Sequence, residues 1–260
     1  MSSINKLEKF RQNEGFKCLL QPKMEELFRV DYPLKGKWNS DFFKNNNPIT
    51  LELGCGKGEY TIALAELHPE RNFIGIDIKG ARLWKGAKYA ETKGLNNVAF
   101  VRTNIDFIEW LFGKDEIEEI WVTFPDPQLK SPRKRLTGSM FLERYRKFLA
   151  PGGVIQLKTD SKYLHEYTAA LAAQNGLHII CNSSDIYGAT ETAGFPQELL
   201  TVQTFYEKNY LSWGLPITFL KFNLLQANGK KYEAPFKEPE WDQEYWRKEE
   251  DKGRLNRPIR

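Results

Sequence analysis

The chain has 260 residues and a formal net charge of only +4, with 28% charged and 13% aromatic residues. That length fits one large α/β domain with extensions and buries an ample core, and the near-neutral balance excludes a protein that grips nucleic acid by bulk charge, so any such role needs a local basic patch. Three widely spaced cysteines, Cys18, Cys55 and Cys181, argue against a disulfide frame and for a reducing compartment. The histidines His68, His165 and His178 lack metal-ligand spacing, so no metal site is expected. Neither a signal peptide nor an apolar run long enough for a bilayer is present, which points to a soluble cytoplasmic protein.

Residues 1–47 are polar and mixed, with short helices expected at Lys6–Gln12 and Lys23–Val30, and read as an N-terminal extension packed on the main domain or partly mobile. A domain then spans 48–226. Strands are expected at 50–53, 72–78, 97–102, 118–124 and 153–159, and helices at 58–67, 80–93, 105–112, 138–149 and 161–175. This alternation predicts a mostly parallel sheet with helices on both faces and right-handed crossovers. Runs at 177–182 and 217–225 read as an antiparallel edge, separated by a long surface loop at 183–203. A charged tail, 227–260, carries Trp241, Tyr245 and Trp246.

Ligands of such sheets sit beyond the carboxyl ends of the strands, and the informative residues fall there. The first strand runs into Glu52-Leu53-Gly54-Cys55-Gly56-Lys57-Gly58-Glu59. Gly54, Gly56 and Gly58 permit a sharp strand-to-helix turn and leave no side chain between loop and ligand. Glu59 stands where a dinucleotide fingerprint needs glycine, and Gly58 stands where a P-loop needs Ser or Thr. Asp77 closes the next strand, placed either to accept from ribose hydroxyls or to cap the following helix. Further along, Pro125 and Pro127 fix Asp126 at the rim, and Lys130, Arg133, Lys134 and Arg135 follow as a basic loop suited to a phosphate backbone. Asp160 follows the fifth strand, placed to cap the helix after it, and Thr204-Phe205-Tyr206-Glu207 carries the T-x-x-E spacing of a capping box.

Taken together, L-E-L-G-C-G-K-G, G-I-D, F-P-D-P with a basic loop and R-L-T, P-G-G with K-T-D, and T-F-Y-E resemble the bacterial TrmB family of tRNA (guanine-N7-)-methyltransferases, from about Asn47 to Leu224. The resemblance implies a Rossmann-like class I methyltransferase fold. It implies transfer of a methyl from S-adenosylmethionine to N7 of a guanosine in the tRNA variable loop. It also implies that Glu52, Asp77, Asn104 and Asp126 line the cofactor pocket beside the loop glycines Gly54, Gly56 and Gly58; the rigid Pro-Asp-Pro on the same rim makes Asp126 the expected catalytic residue. Lys130, Arg133, Lys134, Arg135, Asp160 and Thr204 to Glu207 would meet the guanosine or its tRNA. A monomer or homodimer with no membrane and no metal partner is expected. The chain departs from the family pattern at Gln128, where Trp is usual, in a basic loop two residues shorter and without its His, and at Asn104 in place of an acid, although an Asn carbonyl still accepts from an adenine amine. The rival readings are a methyltransferase-fold RNA-binding protein without catalysis, a methyltransferase acting on another RNA, and a Rossmann-type oxidoreductase.

Overall fold

The structure is a computed structural model that describes residues 4–224 and 230–237. Its centre is an eight-stranded sheet in the order β1-β4-β3-β2-β5-β6-β8-β7. The strands are β1 (Leu19–Leu20), β2 (Ile49–Leu53), β3 (Asn72–Asp77), β4 (Val98–Arg102), β5 (Ile117–Thr123), β6 (Leu149–Thr159), β7 (Ile179–Ser183) and β8 (Thr218–Asn223). All pairings from β1 to β6 are parallel, whereas β8 runs antiparallel to both β6 and β7. The expected antiparallel edge is therefore present, with the last strand inserted between β6 and β7. The helices are α1 (Lys6–Asn13), α2 (Met24–Leu27), α3 (Glu59–Leu67), α4 (Gly80–Lys93), α5 (Ser139–Tyr145), α6 (Lys162–Gln174), α7 (Glu198–Thr201) and α8 (Phe205–Ser212). No helix of the described residues is long and apolar enough to cross a membrane.

Strand side chains alternate between two apolar layers. Leu51, Leu53, Ile120 and Val122 join the layer built with α5 and α6, while Trp121 joins Tyr60, Phe100 and Phe219 on the other face. Sheets covered on both faces carry near-continuous apolar strands, and every residue of β2 and β3 is buried.

Two local outcomes differ from the sequence expectation. The helix expected over 138–149 stops at Tyr145, because Phe148 and Leu149 are drawn into the core and the Phe148 carbonyl pairs with the Ile117 N–H of β5. The stretch expected as a helix at 105–112 is a short 3₁₀ segment, Ile105–Trp110, with Asn104 as its N-cap. The N-terminal residues are integral to the fold: β1 pairs with β4, and Trp38, in a π-helical turn Trp38–Phe43, is fully buried with its indole N–H on the Leu111 carbonyl at 2.9 Å. Of the tail, Tyr232 docks into the core and Arg146 donates to the Lys230 carbonyl; Trp241, Tyr245 and Trp246 lie outside the described residues.

The chain runs outward one way from β2 through β3 to β4, and the other way from β5 to β6. The strand order thus reverses between β2 and β5, and the crevice beyond their carboxyl ends is where this architecture holds ligands.

Candidate active site

A cleft of ≈ 590 Å³ opens at that reversal. One wall is the loop after β2. Gly54, Gly56 and Gly58 have φ of +74°, +59° and +71°, the left-handed region that glycine enters without steric penalty. The requirement is strictest at Gly58, where a Cβ would lie 2.6 Å from the Phe100 ring; at Gly54 a Cβ would stand in open space on the cleft wall. The Gly54 and Cys55 amides both donate to the Ile76 carbonyl, which clips the loop to the end of β3.

Two acids brace this loop from behind. Glu52 is buried and accepts at Oε2 from the Thr61 amide (2.8 Å) and the Thr61 hydroxyl, and at Oε1 from the Thr123 hydroxyl (2.6 Å), so β2, the start of α3 and the end of β5 are tied through one carboxylate. Burial pushes its carboxyl above the usual range, against the pull of those donors. Asp77 accepts from the Gly56 amide at 3.0 Å and from the Lys79 amide at 2.7 Å, supporting the loop and the entry to α4 together. Cys55, between them, has its thiol pushed far up by burial and by the nearby Glu52 and Asp77 charges.

The second wall is the turn after β5. Phe124 takes φ +47° and Gln128 +49°, strained values for residues with a Cβ, and the Gln128 amide donates to Asp126 Oδ1 at 2.9 Å. Asp126 is exposed and lines the same cleft as Gly54–Lys57. The third wall is the end of β6 with the first turn of α8. Asp160 accepts from the Tyr206 hydroxyl at 3.0 Å, and the Phe205 amide donates to Glu59 at 3.0 Å. Burial raises the Glu59 carboxyl, and Lys85 with the Phe205 amide outweighs that and holds it below its ordinary value.

The model of the family described as "Putative methyltransferase" matches residues 46–218. A tRNA (guanine-N(7)-)-methyltransferase of Christiangramia forsetii is 51% identical, covering 86% of this chain and 100% of that protein, and one of Bacteroides fragilis is 46% identical over 85% and 86% respectively. The chain belongs to the tRNA (guanine-N7-)-methyltransferase family. In fold it is also similar to the 16S rRNA methyltransferase KamB, with a TM-score of 0.54 at 17% identity over 71% of this chain and 91% of that one.

Within this methyltransferase, the cleft gathers Glu52, Gly54, Gly56, Asp126, Asp160, Thr204, Phe205 and Tyr206 of the expected residues, and Asp77 touches it through Gly56. Other expected residues sit elsewhere. Asn104 caps the 3₁₀ segment by accepting from the Asp106 amide, outside the cleft wall. Gly58 shapes the loop from behind the wall. Lys130, Arg133 and Lys134 are exposed on the flank, the last two in a 3₁₀ turn, Pro132–Lys134.

Two of the expected residues are turned inward. Arg135 is fully buried, with its guanidinium 4.3 Å from the centre of the Tyr167 ring and donating to the Tyr163 hydroxyl at 2.8 Å and the Leu129 carbonyl at 3.3 Å; it anchors the basic loop from inside and does not face phosphate. Glu207 is fully buried in an ion pair with Lys158 at 2.7 Å and is not part of the cleft wall; with Thr204 it closes the capping box of α8 that its spacing announced. The cap of α6 is Ser161, accepting from the Leu164 amide, and not Asp160. The sequence reading also passed over cleft residues: Lys57 and Glu59 lie inside the glycine motif as spacers, and Arg82 sits on α4 with no local pattern to mark it.

Proposed function

We propose that this chain transfers the methyl group of S-adenosylmethionine to N7 of a guanosine in the variable loop of tRNA. The reading is carried by the convergence of a glycine loop with left-handed turns and an exposed, proline-flanked Asp126 on one cleft, in a chain whose relatives bear that activity in their names. The cleft suits the donor: Gly54 leaves open space where a side chain would intrude, and acids rather than cations stand behind the loop, which favours an amine or a sulfonium over a pyrophosphate. When bound, S-adenosylmethionine supplies an electrophilic methyl group.

The chain's residues orient. The loop backbone from Gly54 to Lys57 and the edge of Glu52 hold the amino-acid end, and Asp77 holds the ribose. Guanine N7 has an in-plane lone pair and no proton, so no general base is needed and catalysis is chiefly alignment and exclusion of water. The purine gains positive charge as the methyl arrives, and Asp126, whose Oδ1 is the oxygen engaged by the Gln128 amide, offers Oδ2 to the guanine N–H edge and stabilises that charge. Asp160, steadied by Tyr206, stands across the cleft. The free, buried thiols suit the reducing conditions of a cytoplasm.

The test is incubation of the protein with tRNA and labelled S-adenosylmethionine, with nucleoside analysis of the product. 7-Methylguanosine should form, and Asp126→Ala should lower turnover by about 100-fold or more while cofactor binding survives. Product without 7-methylguanosine removes the activity; near wild-type turnover by the variant removes Asp126 from its role.

A further inference from the structure

Three aromatic residues line the cleft: Phe124, Phe205 and Tyr206. They are not equivalent. The Tyr206 ring lies between two others, Phe124 at 5.4 Å and Tyr210 at 5.8 Å, and Phe124 is half-buried against it. Phe205 packs against no other ring among the described residues and is 61% exposed, at the mouth of the cleft. Its neighbour is a cation, the Lys57 ammonium over the ring at 5.1 Å from its centre; among the described residues Lys57 is in no ion pair, and Glu59 is paired with Lys85 at 2.9 Å. The backbone that carries the ring is held: its amide is bonded to Glu59, and Glu207 with Thr204 caps the first turn of α8.

An exposed phenyl ring with an ammonium over it, at the edge of a site that works on a purine, matches the two halves of a nucleotide, a base face and a phosphate. The chemistry supplies the need. A guanine drawn from an RNA stack into a cleft leaves the base next to it without a stacking partner, which is a net cost to binding. Aromatic side chains recover that cost without reading sequence, since every base has a π-face.

Resting on the tRNA methylation reading above, we propose that Phe205 and Lys57 form a seat for the nucleotide adjacent to the target guanosine, the ring replacing the stacking contact the target gives up and the ammonium taking the intervening phosphate. The seat accepts any base; sequence preference lies elsewhere.

The experiment is steady-state kinetics with full-length tRNA for wild type, Phe205→Ala, Phe205→Leu and Phe205→Trp, with cofactor affinity by calorimetry as the control. Phe205→Ala should raise KM for tRNA by about 5- to 150-fold, with kcat at saturating tRNA and cofactor affinity unchanged. Leu should repair little of this and Trp most of it. A tRNA carrying an abasic residue beside the target, on one side or the other, should cost wild type a comparable factor and cost Phe205→Ala nothing further. The abasic arm tests the seat on the wild-type fold even where a variant is unstable. A KM for Phe205→Ala within twofold of wild type, or abasic residues without effect on either side, overturns the proposal, as does a loss confined to kcat, which would place the target base itself on the ring. Absence of 7-methylguanosine with wild type is a separate failure, that of the methylation reading, and shows before any variant is compared.

Discussion

Lys158 offers the sharpest test of how the cleft is held. Its ammonium is fully buried and spends its donors on Glu207 Oε1 (2.7 Å), the Leu199 carbonyl (2.8 Å) and the Val202 carbonyl (3.1 Å), over the Tyr60 ring at 5.3 Å. Glu207 in turn accepts from the Tyr187 hydroxyl at 2.8 Å and the Thr204 amide at 3.3 Å. Burial lowers the Lys158 pKa, and the Glu207 charge pulls it back up. Lys158→Met leaves a buried carboxylate without its counter-ion and two carbonyls without a donor, which should cost about 3–5 kcal/mol. The pair fastens β6 to the segment ending in the first turn of α8, so the same variant should also weaken catalysis through Tyr206 and Thr204. Adding Glu207→Gln removes the lone charge while keeping an acceptor for Tyr187. The double variant should therefore recover about 1–3 kcal/mol relative to Lys158→Met. Urea unfolding of the four species gives the coupling directly. If the two single effects add within about 0.5 kcal/mol, the ion pair does not fasten α8 and the reasoning fails. If Glu207 met substrate instead, the double variant would be no more active than Glu207→Gln alone.

Other consequences are simpler to read. Gly58→Ala combines a φ of +71° with a Cβ 2.6 Å from Phe100, and should lose roughly 2–4 kcal/mol in urea unfolding together with cofactor affinity. Arg133→Gln with Lys134→Gln should flatten the salt dependence of tRNA binding by about 1–2 log units per log unit of salt and leave stability alone, whereas Arg135→Ala should do the reverse, destabilising by about 2 kcal/mol with the salt slope retained. The three thiols are buried and Cys18 is pushed up to about 12, so native protein at pH 8 should show no fast reaction with a disulfide reagent, and all three should react on unfolding.

The centre of the sheet was legible because β2, β3 and β4 are short, mostly apolar runs bounded by turn residues, as strands buried on both faces are. The α4 helix was read over its full extent, and its stop at Gly94, in the left-handed region at φ +66°, is a local signal. Glu207 shows where local signals end. The T-x-x-E spacing correctly announced a helix cap, but the partner that decides what the carboxylate does is Lys158, 49 positions away on another strand. Arg135 shows the same limit within a single run. Four cations in close succession look alike in sequence, and only the placement of Tyr163 and Tyr167 on α6 turns one of them inward. The π-helical turn that seats Trp38 has no compositional mark at all, and a two-residue strand such as β1 exists only because β4 has an edge to fill.

The acids at the rim divide into those that hold the site and those that can meet a ligand, and the division follows from hydrogen-bond capacity. A carboxylate accepts about four hydrogen bonds. Glu52 already accepts three from Thr61 and Thr123 and is buried, so it is fixed before any ligand arrives. Asp77 has one backbone amide on each oxygen. Asp126 accepts only from the Gln128 amide among the described residues, and it is exposed. Its backbone is nonetheless constrained, with a proline on each side and Phe124 at φ +47° two residues before it. A carboxylate with spare acceptor capacity on an immobilised backbone is what alignment chemistry asks for. It can take a guanine N–H edge without losing a partner, and little conformational entropy remains to be lost when it does. A strain of about 1–3 kcal/mol at Phe124 is then understandable as the cost of aiming that turn, and it is sustained because the Phe124 amide is bonded to the Lys158 carbonyl at 2.8 Å, on the same residue whose side chain fastens α8. The second and third walls of the cleft are thus set by one position on β6.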